Sequence, residues 1–283
     1  MSSPYFLVTS GPTGSGKSSL IEKSIKYLGL VKPLDKNIFI IDNLIESSSY
    51  YQNKARKIIN EYFTENEKQN ENKLKNKIYN LLETTPTSSK NIFKNFSNTY
   101  FNTRKSKCNN GKACNSIIDN NIENAIKNKE NIILETTGRS FPTIIEWPSD
   151  DYQLYVSYSL VEFCTLVDRN IMRTIKQIKE FLDKENGSAP RLPDIRLPVF
   201  EKVVKNILEK IVQLIEDCGE NGCITTTNKG FKKSGRKFRL IIFDNTKESD
   251  IPIFDSENKN INFSHISTNI VNKYKASNKC QIN

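Results

Sequence analysis

Short apolar runs alternate with longer amphipathic stretches over most of the chain. A continuous apolar run that is ended by turn residues is typical of a strand buried on both faces. The predicted strands are Pro4–Ser10, Asn37–Ile41, Asn131–Leu134, Tyr152–Leu160 and Arg239–Phe243. Such strands, separated by helices, favour an α/β fold: a three-layer sandwich in which helices cover both faces of a five-stranded parallel sheet.

The stretches between these strands carry apolar residues three and four positions apart, which predicts helices. The first helix runs from Lys17 to Leu28 and ends at Gly29. Residues 64–115 are polar and weakly patterned, so we expect a basic insertion there, part helix and part loop. We predict one domain over residues 1–250, which contains this insertion, and a loosely structured tail over residues 251–283.

Composition narrows the class of protein. The 283 residues carry a formal charge of +10, and no apolar run reaches the ~18–20 residues that a membrane span needs. The amino terminus lacks the pattern of a secretory signal, so we expect a soluble, cytoplasmic protein with reduced cysteines.

The sequence does not predict a metal site built from histidine or cysteine. The chain has one histidine, and the spacings of Cys108/Cys114 and Cys218/Cys223 do not predict a metal–thiolate site.

One motif indicates a specific chemistry. Residues 11–18 match the phosphate-binding pattern G-x-x-x-x-G-K-[ST] between the first predicted strand and the first helix. The glycines let several backbone N–H groups point at phosphate oxygens, aided by the positive end of the helix dipole. We expect Lys17 to reach the β- and γ-phosphates of ATP and Ser18 to hold Mg²⁺. The predicted nucleotide-binding residues are Gly11, Pro12, Thr13, Gly14, Ser15, Gly16, Lys17, Ser18 and Ser19.

Other polar residues follow the carboxyl ends of the predicted strands, where ligands bind in such sheets. Asp42 follows the second strand and is either a catalytic carboxylate or the N-cap of the next helix. Glu135 ends the third strand. It is either a residue that hydrogen-bonds to a ligand of Mg²⁺, a substrate contact or a surface residue. Four arginines further along the chain could stabilise a transferring phosphoryl group. Arg169 and Arg173, which are predicted on one helix, could instead lie on a solvated helix face. The four arginines are Arg169, Arg173, Arg191 and Arg196, and we place Arg139 on the acceptor side.

Taken together, these segments resemble the zeta-toxin-like branch of the P-loop kinases. The resemblance is carried by GPTGSGKS, IFIIDNL, NIILETTGRS, LVDRNIMR, APRLP and RLIIFDNT, within residues 4–62 and 116–246. It implies a P-loop kinase-type fold in which Asp42 activates the acceptor hydroxyl. It also implies that Glu135, Thr136 and Thr137 face the acceptor. Finally, it implies that Arg169, Arg173 and Arg191 close over the ATP phosphates.

These inferences predict a phosphotransferase that uses ATP and Mg²⁺ to phosphorylate a hydroxyl of a small molecule, such as a nucleotide sugar or nucleoside. A polynucleotide kinase that acts on RNA or DNA ends is an alternative, because residues 88–112 hold six basic residues and no acid. Phe93, Phe96, Tyr100 and Phe101 are interleaved with them, either to stack on bases or as the core of a basic subdomain. A non-catalytic nucleotide-binding module is the second alternative.

Overall fold

The computed structural model describes residues 3–82, 91–108, 111–137, 148–183, 189–216, 218–219, 222–224, 236–246, 249–258 and 263–274. Within those ranges, no helix combines the length and apolar character that a bilayer crossing requires. The protein has an α/β fold with a mostly parallel sheet. Its strands are β1 (Tyr5–Ser10), β2 (Ile38–Ile40), β3 (Ile132–Thr136), β4 (Gln153–Leu160), β5 (Cys218–Gly219), β6 (Gly222–Ile224), β7 (Lys237–Asp244) and β8 (Phe254–Asp255).

The sheet has the order β2-β3-β1-β4-β7-β6-β5, and β8 pairs with β7. β1 lies parallel to β3 and β4, and β4 lies parallel to β7. β5, β6 and β8 add antiparallel pairings beyond the five predicted strands. The prediction of a purely parallel, five-stranded sheet was therefore wrong. The additional strands have two or three residues, too few to show an apolar run or an alternation.

The described helices are α1 (Lys17–Leu28), α2 (Ile41–Glu46), α3 (Ser49–Tyr62), α4 (Glu65–Gln69), α5 (Glu71–Leu82), α6 (Ile92–Ser106), α7 (Cys114–Lys127), α8 (Phe163–Asp183), α9 (Leu197–Glu216) and α10 (Phe263–Tyr274). α1 has the predicted bounds and is ended by Gly29 in the left-handed conformation, with φ of 64°. The second predicted strand is shorter than expected, because helix α2 begins at Ile41 and places Asp42 in its first turn.

The chain divides into two compact units. We call residues 1–39, 120–166 and 202–278 the sheet unit, and residues 40–119 and 167–201 the helical unit. In the sheet unit, all six residues of β1 are buried. Leu20 of α1 packs there against Ile241 and Phe243 of β7. Each of these buried side chains contributes roughly 1.5–3 kcal/mol to stability.

In the helical unit, the described part of the predicted insertion is mainly helical and comprises α4, α5, α6 and the start of α7. Phe93 and Phe96 of α6 are each 1% exposed, and Phe101 is 52% exposed. The burial of the first two rings supports the interpretation of these aromatics as the core of a basic subdomain.

The cysteines differ from expectation. Cys108 is bonded to Cys114 in the helical unit, and Cys218 to Cys223 in the sheet unit. The prediction of reduced thiols was therefore wrong, since the sequence spacing cannot show which sulfur atoms the fold brings together. A cytoplasmic location stays a prediction, and these disulfides weigh against it, because the cytosol keeps most thiols reduced.

Parts of the region assigned to a loose tail are ordered. β8 pairs with β7 through Ile242 and Phe254. Lys273 of α10 donates a hydrogen bond to Asp244 at 2.5 Å, and Tyr274 is buried. The domain boundary at residue 250 stays a prediction.

Candidate functional site

The glycine loop, residues 11–16, joins β1 to α1 in the sheet unit. Gly14 and Gly16 have φ values of 82° and 78°, a left-handed conformation that favours glycine. A Cβ atom on Gly16 would also lie 2.7 Å from Nδ2 of Asn245. The backbone path of this loop therefore requires glycine at position 16 both for its conformation and for its close packing.

The carbonyl groups of the loop are held by side chains from neighbouring strands. Asn245, directly after β7, donates from Nδ2 to the carbonyl oxygen of Ser15 at 2.9 Å and to that of Gly16 at 3.3 Å. The Ser159 hydroxyl of β4 donates to the same Ser15 oxygen. Lys23 of α1 donates to Oδ1 of Asn245 at 2.7 Å, which orients the amide. These bonds fix the loop backbone from within the protein.

Lys17 and Glu135 form an ion pair in the sheet unit. Their Nζ and Oε1 atoms lie 3.9 Å apart, and the side chains are 7% and 9% exposed. The parallel register of β1 and β3 aligns Thr9 with Glu135 and Ser10 with Thr136, which brings the end of β3 beside the start of the loop. At this depth, each charge offsets part of the desolvation cost of burying the other.

The acceptor-side residues predicted around Glu135 are only partly described. Thr136 is half-buried at the end of β3, and Thr137 is exposed. Arg139 lies outside the described residues.

The loop fits a nucleoside triphosphate and a magnesium ion. Among the described residues, the buried Ser15 hydroxyl has no hydrogen-bond partner, so a donor to phosphate oxygen is available there. Ser18 is exposed at the start of α1, and Glu135 adds a carboxylate. Hydroxyl and carboxylate oxygens are the ligands that Mg²⁺ takes together with phosphate.

A second polar cluster lies in the helical unit around Asp42. The Tyr100 hydroxyl of α6 donates a hydrogen bond to Oδ1 of Asp42, and the Arg191 guanidinium forms an ion pair with Oδ2. Both charged side chains are 15% exposed. The N-cap of α2 is Ile40, and Asp42 lies two residues further on. The Asp42 carboxylate therefore bonds to Tyr100 and Arg191 and does not cap α2, so the alternative of a simple helix cap was wrong.

Arg191 is shared between two carboxylates. Its Nε atom lies 3.7 Å from Oε1 of Glu46, one turn after Asp42 on α2. Burial lowers the pKa of the Arg191 guanidinium to about 10, so the side chain carries its charge at neutral pH. The backbone supports the same arrangement, because the amide of Ala189 donates to the carbonyl oxygen of Glu46 at 3.1 Å.

The remaining candidate arginines have different surroundings within the helical unit. Arg169 is exposed on α8, and Arg173, one turn later, is half-buried and donates to Oδ1 of Asn170 at 3.0 Å. Arg196 forms a bidentate pair with Asp194, and its guanidinium lies 5.5 Å from the centre of the Phe93 ring. The structure thus brings Arg191 to Asp42 and commits Arg196 to a neighbouring carboxylate.

Three residues of these clusters were missed as site residues. Glu46 lies four positions after Asp42. That spacing shares one helix face because Asp42 itself lies within α2, which the sequence pattern did not indicate. Tyr100 is 58 residues from Asp42, and no local pattern connects them. Asn245 lies within the matched segment RLIIFDNT, but its contact with the loop depends on the strand order.

Comparison with known proteins gives matches among solved structures alone: no protein-family model and no curated protein matches the sequence. The chain is similar to a structure of the PezAT chromosomal toxin–antitoxin system of Streptococcus pneumoniae. The identity is 10% and the TM-score 0.48, over 96% of this chain and 78% of that one. It is also similar to a protein from Chloroflexus aurantiacus described as a candidate kinase, with 10% identity and a TM-score of 0.36, over 96% and 98%.

Proposed function

We propose that this protein is an ATP-dependent kinase that phosphorylates a hydroxyl of a small-molecule acceptor, such as a nucleotide sugar or a nucleoside. The observation that carries the proposal is the buried Lys17–Glu135 pair beside the glycine loop. A lysine held there by a carboxylate is placed to exchange that carboxylate for phosphate oxygens. A loop that only turned the chain would leave its lysine in solvent, because burying an ammonium group is unfavourable.

The glycine loop would bind the triphosphate through its backbone N–H groups, Lys17 and the neighbouring hydroxyls. Ser18 would hold Mg²⁺, with Glu135 as a further oxygen donor. When bound, the ion neutralises charge on the phosphate oxygens. Arg169, on α8, would add a cation for the phosphates.

Transfer would proceed by direct displacement. The acceptor oxygen forms a bond to the γ-phosphorus while the bond between that phosphorus and the oxygen of ADP breaks. Asp42 accepts the proton of the acceptor hydroxyl. Arg173 and Arg191 stabilise the charge that develops on the transferred group. Thr136, Thr137 and Arg139 would contact the acceptor.

A polynucleotide kinase is favoured by one observation, the exposed Phe101 ring with the Lys105 ammonium 4.2 Å from its centre. It is opposed by the burial of Phe93 and Phe96, which leaves those rings unable to stack on bases. A non-catalytic nucleotide-binding module is opposed by the cluster around Asp42, since a protein that only bound nucleotide would have no use for a positioned carboxylate.

The test is transfer of labelled γ-phosphate from ATP to UDP-N-acetylglucosamine, nucleosides and oligonucleotides with a 5′-hydroxyl. We expect a small-molecule acceptor to be labelled. The Lys17→Ala variant should lose ATP affinity and transfer together. The Asp42→Asn variant should still bind ATP, and its turnover should fall by about 100-fold or more, because the general base is removed.

Lys26→Ala is the matched control for Lys17, because Lys26 lies on the same helix with its side chain 75% exposed. It should retain wild-type turnover. Near-wild-type turnover in Asp42→Asn would show that Asp42 is not the base. Tight ATP binding without transfer to any acceptor would favour the binding module, and preferential labelling of oligonucleotides would favour the polynucleotide kinase.

A further inference from the structure

We infer that Tyr100, on helix α6 of the predicted insertion, is a positioning residue that holds the carboxylate of Asp42 for proton transfer. The inference rests on the proposed function, because it takes Asp42 as the base. It assigns to the insertion a part of the acceptor site that the sequence motifs do not indicate.

The two oxygens of Asp42 have different partners. Oδ1 accepts a hydrogen bond from the neutral Tyr100 hydroxyl, whereas Oδ2 is paired with the charged Arg191 guanidinium. Each oxygen has two lone pairs, so an acceptor hydroxyl can bond to the carboxylate beside these partners or in place of one of them. Arg191 is the exchangeable one, because Glu46 provides it with a second carboxylate 3.7 Å away. Tyr100 can then keep its bond to Oδ1 and fix the carboxylate plane.

Tyr100 is itself held in place by a buried neighbour. The rings of Tyr51 and Tyr100 meet edge to face, with centroids 6.4 Å apart and planes at 83°. Tyr51 is fully buried on α3, and its hydroxyl donates to the carbonyl oxygen of Pro190, directly before Arg191. Burial raises the pKa of the Tyr51 hydroxyl, which therefore stays protonated as a donor. Through Tyr51, the orientation of Tyr100 is linked to the backbone that carries Arg191.

Among the described residues, Asp42 contacts the Tyr100 hydroxyl from α6 and the Arg191 guanidinium from the loop before α9. Glu46, on α2 itself, is the second carboxylate beside Arg191. A hydrogen bond donated to a carboxylate stabilises its charged form. Loss of the Tyr100 hydroxyl should therefore make Asp42 easier to protonate, and leave its orientation less well defined.

The experiment compares Tyr100→Phe with Tyr62→Phe in the labelled-ATP assay, with the best acceptor of the wild-type protein. Tyr62 lies in the same α3–α6 region, where its hydroxyl accepts a bond from Asn95 at 3.4 Å, so its loss is a matched control. We expect Tyr100→Phe to lower kcat by about tenfold. The KM for ATP should stay unchanged, and the acid limb of the kcat–pH profile should move to higher pH.

Tyr62→Phe should keep the wild-type kcat and pH profile. A Tyr100→Phe variant with the same kcat and acid limb as Tyr62→Phe would overturn the inference and leave the kinase proposal intact. The inference would also be overturned if the activity of Tyr100→Phe fell only in proportion to its folded fraction, measured by thermal unfolding, while the acid limb of its kcat–pH profile stayed in place. Absence of transfer by the wild-type protein would instead overturn the proposed function and, with it, this function of Tyr100.

Discussion

The amide of Asn245 connects the end of β7 to the glycine loop. Its Nδ2 group donates to the carbonyl oxygens of Ser15 and Gly16, and Lys23 holds its Oδ1 atom. A loop whose carbonyl oxygens are bound from one side has its shape defined before a nucleotide arrives. Such preorganisation contributes to affinity, because less conformational freedom is lost on binding.

Replacing Asn245 with alanine should weaken ATP binding by about tenfold, because two loop carbonyl groups lose a donor and the loop becomes less ordered. Titration calorimetry with ATP is the measurement. Ser249→Ala is the control, because within the described part of the chain that hydroxyl bonds only to the backbone of Ile251. Equal ATP affinity in Asn245→Ala and the wild-type protein would show that the loop keeps its shape without this amide.

At the residue scale, a candidate site residue could be predicted from the sequence when a local pattern marks it. It could not be predicted when only the tertiary structure brings it to its partner. Lys17 and Ser18 follow from a motif of eight consecutive positions. Glu135 follows from its place at the end of a buried run. The partners of Asp42 do not, because Tyr100 and Arg191 reach it from segments whose paths only the tertiary structure defines.

At the element scale, a disulfide closes the connection between α6 and α7. Cys108 and Cys114 are separated by six positions, and Cys108 also lies against helix α2, with Sγ 3.8 Å from the carbonyl oxygen of Leu44. The crosslink therefore restrains the end of α6 close to the helix that carries Asp42. Chain-entropy arguments give such a short loop about 2 kcal/mol of stabilisation.

Replacing both Cys108 and Cys114 with serine should lower the free energy of unfolding by about 2 kcal/mol, because the unfolded chain regains conformational freedom. Denaturant unfolding without reductant is the measurement. The double variant no longer contains the Cys108–Cys114 disulfide. Dithiothreitol should therefore lower its stability only by reducing other disulfides, such as Cys218–Cys223. An unchanged midpoint in the double variant would contradict the assigned stabilisation.

Asp255 of β8 is paired with Arg239 of the neighbouring strand β7. Burial opposes ionisation, but the Arg239 guanidinium, the Glu257 amide and the Tyr27 hydroxyl outweigh it and lower the pKa of the Asp255 carboxyl. A carboxyl whose pKa is lower in the folded state stabilises the fold above its ordinary value, about 3.8. That stabilisation is lost as the pH falls through the lowered value, because the unfolded chain binds the proton more readily.

Asp255→Asn should therefore destabilise the protein by about 1–3 kcal/mol at pH 7, because it removes a charged partner of Arg239. The difference from wild type should shrink below about pH 4, where the Asp255 carboxyl of the unfolded wild-type chain begins to bind a proton while that of the folded protein is still ionised. Thermal unfolding between pH 7 and pH 2.5 is the measurement. A constant difference over that range would contradict the assigned pKa direction.

Patterns of hydrophobicity predicted β1, β3, β4 and β7 because each contains at least three consecutive buried residues. They predicted α1 because Gly29 ends it. They could not predict α2, which has six residues and follows β2 without a turn. The short antiparallel strands likewise depend on pairing partners. Element prediction thus succeeded where burial repeats along several residues, and failed where tertiary contacts decide.

At the scale of the whole molecule, positive charge is unevenly distributed. Of the net +10, residues 50–130 contribute +7, from 15 basic and 8 acidic residues. A segment with this excess of positive charge attracts polyanions, and its affinity for them falls steeply with salt. The buried rings of Phe93 and Phe96 mean that charge, rather than base stacking, should dominate such binding.

We therefore expect single-stranded oligonucleotides to bind with an affinity that declines linearly with the logarithm of salt concentration. Inorganic polyphosphate of equal charge should compete as well as the oligonucleotide does. Fluorescence anisotropy at several salt concentrations is the measurement, with Phe101→Ala testing the exposed ring. A large loss of affinity in Phe101→Ala, or failure of polyphosphate to compete, would instead indicate recognition of bases.

The Lys17–Glu135 pair also affects the electrostatic balance of the glycine loop in the protein without nucleotide. A loop that gathers N–H dipoles and an ammonium group would repel itself electrostatically if no anion were present. Glu135 supplies that anion from within the chain, so the loop can fold with its charges already balanced. ATP then has to displace the Glu135 carboxylate from Lys17 when it binds. The measured affinity for ATP therefore reflects the difference in free energy between the interaction of Lys17 with phosphate and its interaction with Glu135.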